Sequence, residues 1–272
     1  MNKMSSKLIT GVLAALIVIV SIFPIYWTVL TSLRSRVQIV SAAPLYPDSF
    51  LIENYIEILI NRQYYIYVIN SIITATGNAL LVLAIGLPAA YALTRFRLKH
   101  SRTLTFWILT NRMAPPAAFL LPVYLIFTLM GLKGTFLSLI LAYTLFNIPL
   151  TIWVLIGAIE AVPRDVEEAA MLDGLSPLGV LLRITIPLAR PGVITAGLLA
   201  WLFAWNHYVF GMILAGPETK QITMALGDFA VTMIGIQWEY LAVMTVATIL
   251  PVLVILIFVR NEIVRGFSFG RI

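Results

Sequence analysis

Glu168-Ala-Ala-Met-Leu-Asp-Gly174, continued by Leu175-Ser-Pro-Leu-Gly-Val-Leu-Leu-Arg-Ile-Thr-Ile-Pro187, is a polar stretch between two of the most hydrophobic segments of the chain. Just ahead of it, Pro163 and Asp165 suit a first helical turn, where proline fits and early acidic residues complement the helix dipole. Gly174 suits a left-handed cap that closes this helix. Ser176 then offers an N-cap and Pro177 an N1 residue for a second short helix, which Pro187 is expected to end. The stretch reads as helix, glycine turn, helix.

What flanks it excludes a water-soluble fold. Of 272 residues, 61% are hydrophobic and 11% charged, with a mean hydropathy of +0.98. A soluble domain carries about 25% charged residues, and a membrane-spanning helix takes about 20 mostly apolar ones. Five runs free of Asp, Glu, Lys and Arg reach that length, at 8–33, 63–94, 134–159, 191–217 and 240–259. A sixth, 103–132, is interrupted only by Arg112. The expectation is an all-α membrane protein with one transmembrane domain over 1–272. It has six spans, at about 8–33, 67–94, 104–130, 135–159, 191–215 and 240–260, and a helix-turn-helix loop at 160–190. The first run follows Lys3 and Lys7, yet it exceeds the roughly 7–15 apolar residues of a signal peptide and no small-residue cleavage site follows. It reads as a retained anchor.

Basic residues orient the chain. With the N-terminus inside, twelve of the eighteen Lys and Arg residues are cytoplasmic, Arg95, Arg164, Arg183 and Arg190 among them. Five are outside (Arg34, Arg36, Arg62, Lys133 and Lys220), and Arg112 lies within a span. That satisfies the positive-inside rule and places both termini and the 160–190 loop in the cytoplasm. The net charge of +6 is explained by these loops, and no nucleic-acid module is recognisable. Cysteine is absent, so disulfides and thiolate metal sites are excluded.

Several intramembrane residues go against their solvent. Arg112 lies about 13 Å into its span, where a charge costs a few kcal/mol unless it meets a cavity, a partner or a distorted bilayer. Pro115 and Pro116 follow at once and predict a bend. Asn147 occupies the fourth span, Asn78 the second, and Trp205-Asn206-His207-Tyr208 the fifth. Arg112, Asn147, Trp205, Asn206, His207 and Tyr208 are the candidate substrate pathway. The competing reading gives the Asn and His residues to interhelical hydrogen bonds and the aromatic ones to lipid interfaces.

Catalysis has no obvious home. There is no phosphate-binding glycine loop, and His100 and His207 fall in opposite halves of the membrane, so no metal site is expected. Glu167 and Glu168 are neighbours that point in different directions on a helix and form no acid–base dyad. The apolar residues of the hairpin would let it lie on the membrane surface. Its first helix is acidic, however, with Asp165, Glu167, Glu168 and Asp173 against Arg164, whereas an anionic leaflet attracts basic helices. That favours a protein partner, with small Ala169 and Ala170 allowing close approach, but physics alone leaves both readings open.

Glu168, Ala169, Ala170, Gly174, Ile184, Ile186 and Pro187, with Asp173 before the glycine, resemble the signature of permease subunits of binding-protein-dependent ABC importers. Leu175, Leu181 and Ile186 depart modestly from it. Thr31-Ser-Leu-Arg34, Ala90-Tyr-Ala-Leu-Thr-Arg-Phe96, Arg112-Met-Ala-Pro-Pro116 and Ala204-Trp-Asn206 extend the resemblance over the chain. They look like the carbohydrate-importer branch related to the smaller maltose-permease subunit. His207 stands where that family often has an acid, and the basic tail 265–272 does not match the common ending.

The resemblance implies a non-catalytic pore subunit in a prokaryotic inner membrane, binding no cofactor itself. ATP and magnesium would sit on two cytoplasmic ATPase subunits. A second homologous permease, an extracytoplasmic solute-binding protein and membrane lipid complete the partners. The loop would couple ATPase motion to alternating access through Glu167, Glu168, Ala169, Ala170, Asp173, Gly174 and Pro187. A di- or oligosaccharide is the implied cargo, with a polyol or glycerol phosphate as the alternative. An ion-coupled secondary transporter is a more distant one, since no Asp or Glu lies in any span.

Overall fold

Prolines bend one of the long apolar segments and are carried inside others. The computed structural model describes residues 3–41, 45–46, 50–96, 98–230, 233 and 235–268; Arg97 and the tail residues 269–272 lie outside the described residues. Every regular element among the described residues is helical. The principal ones are α1 (Lys3–Ser32), α2 (Tyr65–Arg95), α3 (Ser101–Thr110), α4 (Leu120–Leu129) and α5 (Phe136–Glu160). They continue with α6 (Arg164–Leu172), α7 (Pro177–Val180), α8 (Arg190–Trp205), α9 (Val209–Leu214) and α10 (Trp238–Ser268).

Four continuous helical stretches among the described residues are long and apolar enough to cross a membrane: Thr10–Ser32, Tyr65–Arg95, Phe136–Glu160 and Trp238–Arg260. Two further pairs of helices are bent, which raises the number of crossings to as many as six if each pair is one span. In the first pair, Thr103–Met113 and Pro116–Leu129 meet at 90°. The bend follows from the sequence Ala114-Pro115-Pro116. A residue before proline is pushed out of the helical region, and here both Ala114 and Pro115 are extended with ψ 129°.

In the second pair, Pro177–Leu188 turns by 87° into Arg190–Trp205. Pro187 was expected to end the hairpin's second helix and does not. A wide turn over Leu181–Thr185, in which the Ile186 amide reaches back to the Leu181 carbonyl, leaves room for the pyrrolidine ring, and the chain stays helical to Leu188. The bend falls instead at Ala189, ahead of Pro191. α8 is 16 residues, about 24 Å, and so shorter than a hydrocarbon core of about 30 Å. It stops at Asn206 (φ −87°, ψ 1°), and α9 resumes at Val209. The fifth expected span is a broken one.

Two compact units divide the chain, Met1–Ile66 with Ala225–Leu250 and Tyr67–Met224 with Pro251–Ile272. In the first, the return of the chain after α1 caps that helix. Asn54 Nδ2 donates to the Ser32 and Arg34 carbonyls at 2.9 and 3.0 Å, and the Leu51 amide donates to Leu33 at 2.9 Å. Buried Arg34 donates to the Tyr46 carbonyl, and the Tyr64 hydroxyl donates to Asp228.

The second unit is built on α5 and α8. In lipid, no hydrophobic difference drives helices together, so close packing of small residues matters more than in water. A Cβ added to Gly192 of α8 would stand 2.2 Å from the Ala158 Cβ of α5. The core continues out of the spans: Ala90 and Tyr91 of α2, Leu155 and Ile159 of α5, Ala170 of α6, and Val180 and Leu181 form one buried cluster. The hairpin is therefore part of the unit's packing.

The Gly192–Ala158 contact has a measurable consequence. Neither Cβ can rotate away, so Gly192→Ala should cost roughly 1–3 kcal/mol through helix separation. Thermal unfolding in mild detergent should show a lowered melting temperature that Ala158→Gly largely restores. An unchanged melting temperature in the single variant would mean the helices part freely.

Candidate functional site

The hairpin forms where its sequence provides the caps. Pro163 is extended (φ −60°, ψ 130°) and releases the chain into α6, whose first turn carries Asp165 and Glu167. At the other end Gly174 adopts φ +91°, a conformation that side chains resist. Its amide donates to Met171 at 3.0 Å and the Leu175 amide to Ala170 at 3.1 Å, the two crossed bonds of a Schellman cap. Leu175 then packs beside Ala170 in the core cluster. Ser176 accepts from the Gly179 amide at 3.2 Å, with Pro177 opening α7. The caps expected at Gly174, Ser176 and Pro177 are all present.

The two adjacent glutamates of α6 part company. Glu168 is exposed, with Ala169, Asp173, Gly174 and Pro187, and Leu172 stands 89% exposed among them. Glu167 is 2% exposed and Ala170 is 7%. These two expected docking residues thus face inward, a correction with a simple cause: three residues apart, they share the helix stripe that meets α2 and α5. Glu167 makes an ion pair that is sealed from solvent. Its Oε2 accepts from Arg95 Nε at 2.5 Å and its Oε1 from the Thr185 hydroxyl at 2.5 Å. Arg95 Nη2 donates to the Ile159 and Val162 carbonyls at 2.7 and 2.8 Å, placing a cation at the C-terminal end of α5 as its dipole prefers. Arg164 Nη2 donates to the Thr94 carbonyl at 2.9 Å.

Reading the sequence missed Arg95, Arg164 and Thr185 as partners of the hairpin. Arg164 entered only the charge balance, and Arg95 only that balance and the Ala90–Phe96 resemblance. The signal that would have found them is that Glu167 and Glu168 cannot face the same way on one helix.

Within the spans, the candidate pathway residues separate into groups. Asn147 is 3% exposed and donates to Asn78 Oδ1 at 2.6 Å and to the Ala200 carbonyl at 3.2 Å. Asn78 in turn donates to the Thr144 hydroxyl at 2.9 Å and the Ile140 carbonyl at 3.2 Å. Both amides tie α2, α5 and α8 together. Trp205 is likewise buried, stacked on Trp201 with ring centres 4.9 Å apart.

Arg112, half-buried in the turn after α3, donates to the Phe146 carbonyl at 3.2 Å and lies 4.5 Å over the Phe203 ring. Its cost in the membrane is offset by a carbonyl and a π face. At the break between α8 and α9, Asn206 and Tyr208 are exposed, and Asn206 Nδ2 donates back to Leu202 at 2.8 Å. The His207 ring stacks on Tyr143 at 4.5 Å, and the Tyr143 hydroxyl donates to Gln221 at 2.5 Å. Exposed polar and aromatic groups at a helix break suit recognition of a polar solute. Among the described residues no three His, Cys, Asp or Glu side chains gather closely enough to hold a metal ion.

Comparison with known proteins gives the chain a family and a fold neighbour. A family described as binding-protein-dependent transport system inner membrane component matches residues 82–262. The sulfoquinovosyl glycerol transport system permease protein of Agrobacterium fabrum is 28% identical, covering 98% of this chain and 94% of that protein. An inner membrane ABC transporter permease protein of Escherichia coli is 28% identical over 95% of this chain and 93% of its own length. The trehalose/maltose transport system permease protein of Thermococcus litoralis is 25% identical over 95% and 94%. Among solved structures, a chain of a bacterial ABC transporter involved in import of the acidic polysaccharide alginate superposes with a TM-score of 0.80. It is 21% identical and covers 97% of this chain and 99% of that one, a likeness of fold.

The Asn78–Asn147 bridge yields a test that separates packing from solute contact. Asn147→Leu should destabilise the protein by about 1 kcal/mol in a detergent melt, the scale of an interhelical hydrogen bond. Asn206→Ala, whose amide only bonds back within its own helix, should leave the melt unchanged. Equal shifts in both would put Asn206 in the packing as well.

Proposed function

As a member of the binding-protein-dependent transport system inner membrane component family, this chain is the permease part of an ABC importer, and we propose that it carries a carbohydrate and transmits ATPase motion through its hairpin. It is a multi-pass inner membrane protein, and the family's transport systems include an ATPase and a solute-binding protein. The proposal goes further on four points: both termini and the hairpin are cytoplasmic, two ATPase subunits bind, a second homologous permease completes the pore, and ATP with magnesium resides on the ATPases.

One observation carries the coupling role. The exposed face of α6 combines the Glu168 and Asp173 carboxylates with Leu172 at 89% exposure, presented by a helix whose other face is locked into the core. An exposed leucine of that degree between acids suits a partner's groove and disfavours an anionic lipid surface. ATP-driven closure of the partner would then move α6 and, with it, the spans between inward-open and outward-open states. The side chains of Asn206, His207 and Tyr208, together with Arg112, are the proposed solute contacts. A sugar as cargo is supported by what the related permeases are named for, a sulfoquinovosyl glycerol system and a trehalose/maltose system.

Glu168→Lys reverses a charge on the docking face, and Gly174→Asp forces a side chain into φ +91°. Both variants should insert normally while ATP-dependent sugar uptake into vesicles containing the full complex falls at least tenfold. Wild-type uptake by either would remove the hairpin from coupling. The cargo itself is read from stimulation of ATP hydrolysis in the same complex by the binding protein with each of a panel of neutral sugars, acidic sugars, polyols and glycerol phosphate.

A further inference from the structure

A docking surface does not need an acid buried beneath it, yet Glu167 is drawn away from the exposed face of α6 into contact with Arg95, the last residue of α2. The pair is sealed, with side-chain exposures of 8% for Arg95 and 3% for Glu167. Each of its bonds reaches a different part of the unit. Arg95 Nε holds Glu167 on α6, and Nη2 holds the Ile159 carbonyl at the end of α5 and the Val162 carbonyl beyond it. The other Glu167 oxygen holds Thr185 in the wide turn of the hairpin's second arm. Both arms of the hairpin and the ends of two spans therefore meet at a single guanidinium–carboxylate pair.

Such a pair resists shear in a way that apolar contact does not. Two greasy surfaces slide at little cost, whereas separating a sealed ion pair leaves an uncompensated charge. The planar fork of arginine also allows three acceptors to be held in fixed directions at once, which an ammonium on a flexible stem does not reproduce. α2 in turn carries Asn78, bonded to Asn147 and Thr144 of α5 deeper in the membrane.

We propose that Arg95 is a positioning residue: with Glu167 and Thr185 it welds the hairpin to α2 and the end of α5, so that motion delivered to the exposed face of α6 turns the spans without slack. This rests on the coupling role proposed above for that face. Glu168 and Leu172 receive the push, and Arg95 and Glu167 prevent the hairpin from swivelling under it.

The chain has no cysteine, so spin labels at Met171→Cys on α6 and Phe96→Cys just beyond α2, both exposed positions, report the joint directly. They are measured in the complete reconstituted transporter, with and without ATP trapped on its ATPase subunits. In the otherwise native chain the interlabel distance distribution should be narrow and the same in both states. Glu167→Gln, which keeps the shape but removes the charge, should at least double its width. The same substitution should raise the ATP hydrolysed per sugar imported at least fivefold while the ATPase subunits still co-purify. Arg95→Lys should do likewise.

A distance that changes with nucleotide in the native chain overturns the proposal, as does an unaltered width or coupling ratio in Glu167→Gln. If Glu167→Gln fails to assemble, Thr185→Val, which removes one bond at nearly constant volume, carries the same two readouts with the same outcomes. A constant, narrow distance together with normal uptake by Glu168→Lys would sink the coupling role of the outer face and leave the rigid joint standing.

Discussion

A charge cannot be left bare in a low-dielectric interior, and that constraint fixes how the hairpin sits on the spans. Arg95 closes α2 at the edge of the apolar zone, where water no longer surrounds its guanidinium. It needs acceptors on all sides and finds them on α6, at the end of α5 and just past it. Once those bonds are made, the stripe of α6 carrying Glu167 and Ala170 must face inward, and the stripe carrying Glu168 and Leu172 must face out. The orientation of the proposed docking surface is thus a by-product of neutralising one arginine.

The membrane imposes a second constraint, on backbone groups, and the chain meets it in two ways. α2 and α5 run unbroken and satisfy their own amides. The third and fifth spans do not: one is interrupted at Ala114-Pro115-Pro116 and the other at Asn206 to Tyr208. Both interruptions bring polar or charged side chains into the membrane, Arg112 at one and Asn206 and His207 at the other. Irregular backbone at that depth is tolerated where protein or a water-filled cavity surrounds it, which is also where a hydrophilic solute has to pass. The tight Gly192–Ala158 contact holds α8 against α5 near the opposite end from its break.

Much of this was legible in the sequence because it depends on local rules. The helix-turn-helix follows from Gly174, Ser176 and Pro177, whose caps act within four or five residues. The helical membrane class follows from the length of uncharged runs, and the bend of the third span from consecutive prolines. What was not legible depended on partners distant in the chain. Glu167 looked like its neighbour until Arg95, 72 residues away, claimed it. The bond from the Asn147 amide to Asn78, 69 residues away, could not be read from the neighbours of either residue. Pro187 looked like a helix stop because the widened turn that accommodates it arises from packing of the hairpin's second arm.

Leu172 has a meaning beyond docking. At 89% exposure, with Leu178 at 62% and Leu182 at 56% on the other arm, it gives the hairpin an apolar crest outside the bilayer-spanning helices. Such a crest is tolerable only while something covers it. A subunit synthesised in excess of its partners would carry an adhesive surface that marks it as an orphan, open to self-association and to the proteases that clear misassembled membrane proteins. The feature proposed to join the chain to its complex would thereby also limit how much of it a cell can hold alone.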